Sequence, residues 1–398
     1  MAQLSKRISS MTESATLAMA AKARELKAQG KDIISLSLGE PDFKTPKHIQ
    51  QAANEAISSE KYFAYPPVAG YPDLREALAQ KLTKENGIPS KAENIVVSAG
   101  AKQSIANAMM CLVDPGDEVI IFSPFWVSYA EIVKLAEGTP VFIEGTIENK
   151  FKASAEQLEK AITAKTKVVM YSSPCNPTGA VFTETELRAI AAVIQKHPHI
   201  TVIADEIYEH INFSGKHFSI GSIPEMQNQV VTVNGFSKGF AMTGWRVGYI
   251  SAPVAIAKAC EKMQGQITSG ISTIAQRAAL AAITGDLAPT RAMSEEYHKR
   301  RAIVYQLLQE LPGFKTDMPD GAFYFFPEIS SYFGKSFQGQ KINNAQDFCM
   351  FLLNEANVSL VEGGAFGAPN CVRLSYAASE KELREAFARI KASLPKLQ

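Results

Sequence analysis

The stretch Asn234-Gly235-Phe236-Ser237-Lys238-Gly239-Phe240-Ala241-Met242-Thr243-Gly244-Trp245-Arg246 directly follows an apolar, β-branched run, Val230-Val231-Thr232-Val233. Such a run is typical of a buried strand, and the glycines beyond it allow the backbone to approach a bound molecule closely. Lys238 is therefore either a solvated surface charge or an amine held in a cleft for chemistry. The second interpretation requires partners from other parts of the chain.

The composition is that of an ordinary globular protein. The 398 residues are 46% hydrophobic and 20% charged, with a formal net charge of +1. The length favours two domains, and the near-neutral charge gives no support to a nucleic-acid or membrane partner. The N-terminus lacks an apolar segment and no apolar run approaches about 18 residues, which predicts a cytoplasmic protein. The five cysteines are widely spaced and the six histidines form no metal-ligand pattern, so we expect reduced thiols and no metal site.

Short apolar strands alternate with helical segments from residue 94 onward. After a helical segment at 8–29 and a strand at 33–38, the pattern predicts strands at 94–98, 118–122, 140–143, 167–171 and 200–204. The helices between them are predicted at 101–113, 126–137, 154–164 and 183–196. This alternation indicates βαβ units and a mainly parallel sheet covered by helices on both faces.

Unusual residues follow four of these strands. Gly100 follows the strand at 94–98, Asn176 the strand at 167–171, Asp205 the strand at 200–204, and Lys238 the run at 230–233. In such sheets, ligands bind beyond the carboxyl ends of the strands. We therefore expect these four residues to share one crevice, which favours the chemical interpretation of Lys238.

Beyond residue 252 the pattern changes to long helical stretches followed by a mixed segment. The strand candidates there are 322–326, 358–361 and 371–375, and 380–393 is an amphipathic helix. We expect an N-terminal arm at 1–45 that joins the small domain, a large domain at 46–288 and a small C-terminal α+β domain at 289–398.

The crevice residues suit a heterocyclic carbonyl cofactor. A buried lysine amine such as that of Lys238 can form a Schiff base. Asp205 can hold a proton on a ring nitrogen, although it is equally consistent with a helix N-cap. Tyr208 and Asn176 are neutral donors for a phenolate oxygen, or a core tyrosine and a turn residue. Trp126 can stack on a ring or belong to the core.

An anion site accompanies them. Gly100-Ala101-Lys102 opens a helix after a strand, a common turn that exposes backbone N–H groups and the positive end of the helix dipole. Ser237 and Arg246 add hydroxyl and guanidinium donors beside Lys238. The lack of G-x-x-x-x-G-K-[ST] and G-x-G-x-x-G patterns counts against ATP and dinucleotides. A Schiff-base lysine, an acid for a pyridinium and a phosphate cup together describe pyridoxal phosphate.

Three segments resemble the signatures of class I aminotransferases: Asn176-Pro177-Thr178-Gly179, Asp205-Glu206-Ile207-Tyr208 and the stretch 237–249. The resemblance covers nearly the whole chain. It is closest to the bacterial aspartate aminotransferases that carry a Gly-Glu-Pro-Asp-Phe segment, here 39–43. It implies the fold-type-I architecture of pyridoxal-phosphate transferases, α/β with a mainly parallel central sheet and a smaller α+β domain. It also implies a homodimer with active sites at the subunit interface.

The resemblance implies how the cofactor is held. Lys238 would bind pyridoxal phosphate covalently and, once freed by substrate, carry the proton between Cα and C4′. Asp205 would pair with the pyridine nitrogen and Trp126 would stack on the ring. Tyr208 and Asn176 would bind the ring oxygen O3′. The phosphate would be bound by Gly100, Ala101, Ser237, Arg246 and Tyr65 of the partner subunit.

The resemblance also implies the substrate contacts, to which Trp126 and Asn176 contribute. Arg373 would grip the α-carboxylate, because a guanidinium binds a carboxylate bidentately, and Gly39 would close over it. Lys102 matches the lysine that binds the distal carboxylate, or is a phosphate-side or surface lysine. Ser14 and Thr16 match the N-terminal segment that closes on the distal group.

The predicted reaction is transfer of the amino group from L-aspartate to 2-oxoglutarate, giving oxaloacetate and L-glutamate. The alternatives are an aminotransferase of broader or different specificity (aromatic amino acids, prephenate, alanine) and another pyridoxal-phosphate reaction at Cα or Cβ. Relatives that transaminate prephenate commonly have Lys-Pro before Ser-Ala-Thr, whereas this chain has Thr12-Glu13, which disfavours prephenate. A regulator that binds the cofactor without turnover would need a DNA-binding domain, for which the chain has no room.

Overall fold

The computed structural model describes residues 4–398. Most of the predicted helices are present, and two further helices, at 47–58 and 345–355, were not predicted. The α-helices are α1 Lys6–Ser9, α2 Ala15–Ala28, α3 Lys47–Ser58, α4 Pro72–Lys81, α5 Ala101–Leu112, α6 Ser128–Leu135, α7 Ala155–Ala161, α8 Glu184–Ile194, α9 Val254–Ile267, α10 Thr273–Thr284, α11 Ala288–Gln309, α12 Ala345–Glu355 and α13 Glu380–Ser393.

The strands form one large sheet and three small ones. In chain order they are β1 Ile34–Ser35, β2 Ile95–Ser98, β3 Glu118–Ser123, β4 Thr139–Glu144, β5 Thr166–Ser172, β6 Thr201–Asp205, β7 Val230–Gly235, β8 Gly248–Ser251, β9 Tyr324–Phe325, β10 Ser336–Phe337, β11 Gln340–Lys341, β12 Val358–Ser359, β13 Val361–Glu362 and β14 Val372–Ser375.

The large sheet has seven strands in the order β2-β8-β7-β6-β5-β3-β4. Six of them run parallel, and β8 lies antiparallel between β2 and β7. The mainly parallel sheet is therefore confirmed, but β8 was not predicted. Its four residues, Gly-Tyr-Ile-Ser, are too few to show a period on their own. They pair because the chain turns back directly after the Lys238 loop.

Helices cover both faces of this sheet. One face packs Val96, Ile121, Met170 and Ile203 against α5 and α9, and the other packs Ile120, Val169 and Val202 against α7 and α8. Every residue of β2 and β7 is buried. Burial on both faces explains the continuous apolar runs in the sequence, because such strands expose no polar face.

The C-terminal part has its own apolar cluster around the three-stranded sheet β13-β14-β9. The long helix α11 packs Tyr297, Val304 and Leu308 into this cluster. β1 pairs in parallel with β12, which ties the N-terminal segment to this part of the molecule.

Two N-terminal predictions were wrong in extent. The expected helix at 8–29 is interrupted: α1 ends at Ser9 and α2 begins at Ala15, with Ser14 at its N-cap position. The expected strand at 33–38 is paired only at Ile34 and Ser35, because its sole neighbour, β12, has two residues. Beyond it the chain turns toward the cavity described below.

Among residues 4–398, we find no helix with both the length and the apolarity needed to cross a bilayer. All five cysteines carry free thiols, and four of them are buried.

Candidate active site

A cavity of about 470 Å³ opens at the carboxyl ends of the parallel strands. Its size falls within the usual range of small-molecule sites, about 300–1,000 Å³. Asn176, Asp205 and Lys238 line it as predicted, whereas the end of β2 contributes Ala101, the neighbour of Gly100, and not Gly100 itself. The cavity is lined by Glu40, Ala101, Lys102, Trp126, Tyr129, Ser172, Asn176, Asp205, Ile207, Tyr208, Ser237, Lys238, Thr243, Gly244 and Arg246.

Lys238 presents its amine to this cavity. The Nζ donates a hydrogen bond of 2.5 Å to the Gly39 carbonyl oxygen and lies 5.8 Å from the centre of the Tyr208 ring. Burial, with the positive charge of Arg373, lowers the pKa of the Lys238 amine to about 8. A larger fraction of the amine is therefore neutral and nucleophilic at neutral pH than in an exposed lysine.

Asp205 lies at the end of β6 and is only 4% exposed. Its Oδ2 accepts a 2.6 Å hydrogen bond from the Tyr129 hydroxyl, and its Oδ1 accepts one of 3.2 Å from the Ile207 N–H. The second bond closes a local turn, but no helix follows Asp205, so the interpretation of Asp205 as a helix N-cap was wrong. Burial raises the pKa of Asp205 to about 6, although the Tyr129 hydrogen bond acts in the opposite direction.

The raised pKa of Asp205 predicts how the free energy of unfolding depends on pH. The folded-state pKa of Asp205, about 6, lies above the usual 3.8, so the folded protein holds this proton up to a higher pH than the unfolded chain does. The stability that the protonated Asp205 contributes is therefore lost as the pH rises through 6. We expect Asp205→Asn to raise the free energy of unfolding at pH 7 by about 1–3 kcal/mol. Chemical denaturation should show a smaller increase in the free energy of unfolding for Asp205→Asn at pH 5. Asp114→Asn, on an exposed turn, is the control and should change little; an equal gain for Asp205→Asn at both pH values would contradict the expectation.

Arg373 is fully buried on β14 and orients Asn176. Its Nη1 donates to the Asn176 Oδ1 at 2.9 Å and its Nη2 to the Ser37 carbonyl oxygen at 2.6 Å. The guanidinium lies between the rings of Tyr324 and Phe366, at 4.7 and 4.9 Å. Because the Asn176 oxygen is used by Arg373, its amide nitrogen is left to donate. The Arg373 Nε is buried and has no hydrogen-bond partner within residues 4–398.

Tyr208 is 2% exposed, so it is buried as a core tyrosine would be, and it also lines the cavity. Its hydroxyl shares a 2.7 Å hydrogen bond with that of Tyr324. Burial raises the pKa of Tyr208 well above its ordinary value, so the group stays a neutral donor at physiological pH. The hydroxyl of Tyr324 is also what a Cβ at Gly39 would overlap, which explains the glycine at that position.

The start of α5, together with Ser237 and Arg246, forms one end of the cavity. The first N–H groups of a helix have no intrahelical partner, and Ala101 and Lys102 line the cavity. Gly100 has a φ of +86°, and a Cβ there would overlap the Arg246 guanidinium. Arg246 is held by the carbonyl oxygens of Thr243 and Ala99, at 2.9 and 3.3 Å. Cationic and backbone donors thus converge at a helix N-terminus.

Trp126 and Lys102 lie together at the cavity wall. The Lys102 Nζ is 4.8 Å from the centre of a Trp126 ring. Burial and the nearby Arg246 charge lower the pKa of the Lys102 amine. Trp126 precedes α6, although a helix beginning at 126 was predicted.

Six predicted site residues do not line the cavity of this chain. Gly39, Gly100 and Arg373 each lie beside a residue that does. The other three are Ser14, Thr16 and Tyr65. Thr16 lies in the first turn of α2, and its hydroxyl is buried without a hydrogen-bond partner in the described part of the chain. Ser14 directly precedes that helix. Tyr65 is 95% exposed, so it makes no contribution to this cavity from its own chain.

Tyr129 and Glu40 line the cavity, Tyr324 contacts Tyr208 and Arg373, and all three were missed. Tyr129 stands three residues after Trp126, where a helical turn brings the two side chains together, and this spacing was a usable signal. Tyr324 was assigned only to a strand, because its contact with Tyr208 spans 116 positions. Glu40 was noted only as part of the 39–43 segment.

A buried charged cluster lies behind the site, on the segment after β6. Glu206, Glu209 and His217 each have one side-chain atom that could bind a metal ion, and these three atoms lie within 4.8 Å of one another. The Lys81 ammonium already pairs with Glu209, and His217 lies 3.0 Å from Glu206. The cluster is therefore an ion-pair network with its own cation, and the absence of a metal site stays a prediction.

Known proteins resemble this chain over nearly its whole length. Residues 31–390 match the family model described as aminotransferase class I and II. The aspartate aminotransferase of Geobacillus stearothermophilus is 44% identical over 98% of both chains. The aspartate/prephenate aminotransferase of Nitrosomonas europaea is 43% identical over 98% of this chain and 100% of its own.

Solved structures of aspartate aminotransferases are similar to this chain in fold. The crystal structure of the aspartate aminotransferase from Rhizobium meliloti covers 100% of both chains, with a TM-score of 0.95 and 41% identity. The aspartate aminotransferase from Thermus thermophilus with maleate covers 99% of this chain and 100% of its own, with a TM-score of 0.92 and 41% identity. On the family match, the identities and the shared fold, this chain belongs to the class I and II aminotransferase family and is a transaminase.

Proposed function

We propose that the protein is a pyridoxal-phosphate-dependent aspartate aminotransferase, which transfers the amino group of L-aspartate to 2-oxoglutarate. The observation that carries the proposal is the position of Lys238. Its amine, with a pKa lowered to about 8, faces a cavity that has a buried carboxylate, Asp205, and a cluster of anion-binding donors. The names of the similar proteins support the choice of aspartate.

The residues present fit pyridoxal phosphate. The Ser172 hydroxyl lines the cavity and is buried without a partner among residues 4–398. The Nε of Arg373, whose guanidinium bonds the cavity residue Asn176, is also buried without a partner there. Such unpaired polar atoms are uncommon in folded proteins and indicate that a ligand completes the site. Ala101, Ser237 and Arg246 would hold the phosphate, and Asp205 the ring nitrogen. Tyr208 and the Asn176 amide nitrogen would donate to the ring oxygen.

When bound, the cofactor supplies an electron sink for the carbanion formed at the substrate Cα. Lys238 would accept the Cα proton and return it at C4′; the other amine that lines the cavity, Lys102, lies against Trp126. Asp205 would hold the proton on the ring nitrogen. Trp126 would pack against one face of the ring and keep water from it. These roles need Lys238 to exchange between charged and neutral forms, which its lowered pKa allows.

Substrate recognition requires two cationic groups. Arg373 would bind the α-carboxylate with its free Nε edge, since Asn176 and Ser37 already fix the plane of the guanidinium. Gly39 would lie over this end of the substrate. Lys102, across the cavity beside Trp126, would bind the distal carboxylate. The Thermus thermophilus structure named above was solved with maleate, a four-carbon dicarboxylate like aspartate.

The N-terminal segment would cover the distal end of the substrate through Ser14 and Thr16. The segment is held in place just before them, where Thr12 donates two hydrogen bonds to Glu131 of α6, at 2.9 and 3.0 Å. Thr12 is therefore engaged with the protein itself, and Glu13 beside it is exposed. Glu13 thus adds a negative charge next to the segment that would cover the substrate, and a glutamate near the dianionic prephenate would be unfavourable, so we expect aspartate to be preferred.

A half-reaction panel tests the substrate. We expect aspartate and glutamate to change the visible absorbance of the bound cofactor faster than alanine or phenylalanine, and 2-oxoglutarate to accept faster than prephenate. In Lys102→Met the KM for aspartate should rise roughly 10- to 150-fold, the equivalent of one charge-assisted hydrogen bond. The KM for alanine should change little. Lys160→Met, an exposed lysine on α7, is the control; equal losses for all amino acids would show that Lys102 does not bind the distal carboxylate.

We also propose a homodimer with shared sites. Tyr65 and the neighbouring Phe63 are 95% and 67% exposed, and aromatic side chains of this size are enriched in interfaces. Tyr65 of the partner subunit would then reach the phosphate. Sedimentation should give the mass of two chains, and a monomer with full activity would exclude this arrangement.

The proposed division is an N-terminal arm at 1–45, a large domain at 46–288 and a small domain at 289–398. The large sheet spans only 95–251, and the β1–β12 pair supports the attachment of the arm to the small domain. Hydrogen exchange should then show two separately opening units; one cooperative unit would contradict the division.

A further inference from the structure

Asp205 has a single side-chain hydrogen-bond partner within residues 4–398, and it comes from a different element. The Tyr129 hydroxyl on α6 donates to Oδ2 at 2.6 Å. Tyr129 is 1% exposed, and its ring meets that of Trp126 edge-on, with centroids 5.6 Å apart and planes at 90°. The Tyr129 N–H also bonds the Trp126 carbonyl oxygen at 2.9 Å. A single turn of the chain therefore positions both Trp126, which would stack on the ring, and Tyr129, which bonds the Asp205 carboxylate.

We propose that Tyr129 is a positioning residue for the transamination: its donated hydrogen bond keeps the Asp205 carboxylate ionised and aligned, and so keeps the proton on the cofactor's ring nitrogen. The inference rests on the proposed function, because it requires pyridoxal phosphate in this cavity. Tyr129 acts through Asp205 and does not itself touch the reacting atoms.

The surroundings of Asp205 explain why such a donor is needed. Burial favours the neutral acid, and the adjacent Glu206 acts in the same direction. Lys238 opposes them, but it is the weakest of these influences. The other titratable groups nearby are Tyr208 and Cys175, neither of which donates a hydrogen bond to the carboxylate. The Tyr129 hydrogen bond is the largest influence that favours the charged form.

Tyr129 can fill this role over the whole physiological range. Burial and the Asp205 charge raise the pKa of its hydroxyl well above the ordinary value. The hydroxyl therefore keeps its proton and remains a donor. Hydrogen bonds to an ionised acceptor are about twice as strong as neutral ones, and this one is also removed from water.

The test compares Tyr129→Phe with the wild type, both loaded with pyridoxal phosphate. Without the donor, Asp205 becomes a stronger base and draws the shared proton from the ring nitrogen. The ring then carries less positive charge, and the pKa of the nitrogen that joins Lys238 to the cofactor rises. We expect the pH midpoint of the visible absorbance to rise by roughly one unit. We expect kcat to fall about tenfold, with a smaller change in KM.

Tyr171→Phe is the matched control. Tyr171 is a buried tyrosine at the end of β5, 2% exposed, and its hydroxyl has no hydrogen-bond partner in residues 4–398. It packs between Phe122 and Phe182 on the opposite face of the sheet. Loss of its hydroxyl should leave the absorbance midpoint unchanged. An unchanged midpoint in Tyr129→Phe as well would overturn the proposal, because Tyr129 would then contribute only packing.

If Tyr129→Phe folds poorly, a second variant tests whether the Tyr129 hydrogen bond sets the absorbance midpoint. Incorporation of 3-fluorotyrosine at position 129 keeps the ring and the hydroxyl but makes the hydroxyl a stronger donor, so the midpoint should move below that of the wild type. An unchanged or raised midpoint would overturn the proposal. Failure of the proposed function is distinguishable, because the wild-type protein would then show no cofactor absorbance at all.

Discussion

Replacing Lys238 by alanine should reduce the transamination rate by about 10⁴-fold, the upper range for loss of a positioned acid–base group. Two amines line the cavity, and Lys238, which follows β7, is the one that we expect to attach to a carbonyl and to carry a proton between two carbon atoms. Its pKa of about 8 and its hydrogen bond to Gly39 place it for both tasks. Steady-state assays with aspartate and 2-oxoglutarate measure the loss.

Lys238→Arg is the matched control for charge. Arginine keeps the positive charge and fills the same space but stays protonated. We expect it to be as inactive as the alanine variant while retaining the fold by circular dichroism. Turnover in either variant above about one hundredth of the wild-type rate, the low end for such groups, would show that Lys238 is not the proton carrier.

Replacing Arg373 by lysine should raise the KM of every amino-acid substrate to a similar degree, by roughly 10- to 150-fold. The guanidinium reaches Asn176 and Ser37 together and leaves Nε for a ligand. A lysine ammonium has no fixed planar geometry and cannot keep all of these contacts. The measurement is KM for aspartate, alanine and phenylalanine under identical conditions.

Arg300→Lys separates substrate binding from general damage to the fold. Arg300 is 6% exposed, forms two 2.8 Å hydrogen bonds to Asp42 and lies against the rings of Phe43 and Tyr297. It does not line the cavity and, unlike Arg373, its side chain bonds no residue that does. Its replacement should lower the melting temperature without the KM increase. If Arg373→Lys raised the KM only for dicarboxylate substrates, Arg373 would bind the distal carboxylate and Lys102 the α-carboxylate, the reverse of our proposal.

The cofactor end of the site could be predicted from local sequence. Gly100, Asn176, Asp205 and Lys238 each follow an apolar run within five residues, and the carboxyl ends of parallel strands lie on one edge of the sheet. The substrate end was harder. Arg373 is an ordinary strand residue by pattern, and its place was inferred only from the resemblance. The extent of β1 was overestimated because an apolar run does not reveal how long its partner strand is.

The sequence alone determined the parallel sheet, its ligand edge and the lysine at its centre, because these depend on the period of apolar residues and on the residues next to each strand. Only the tertiary structure decided that β8 is antiparallel, that Tyr129 bonds Asp205, and that Arg373 turns Asn176 toward the cavity. The last two contacts join residues 76 and 197 positions apart. No local propensity encodes such distances; they arise when helices and sheets pack and buried polar groups find their partners.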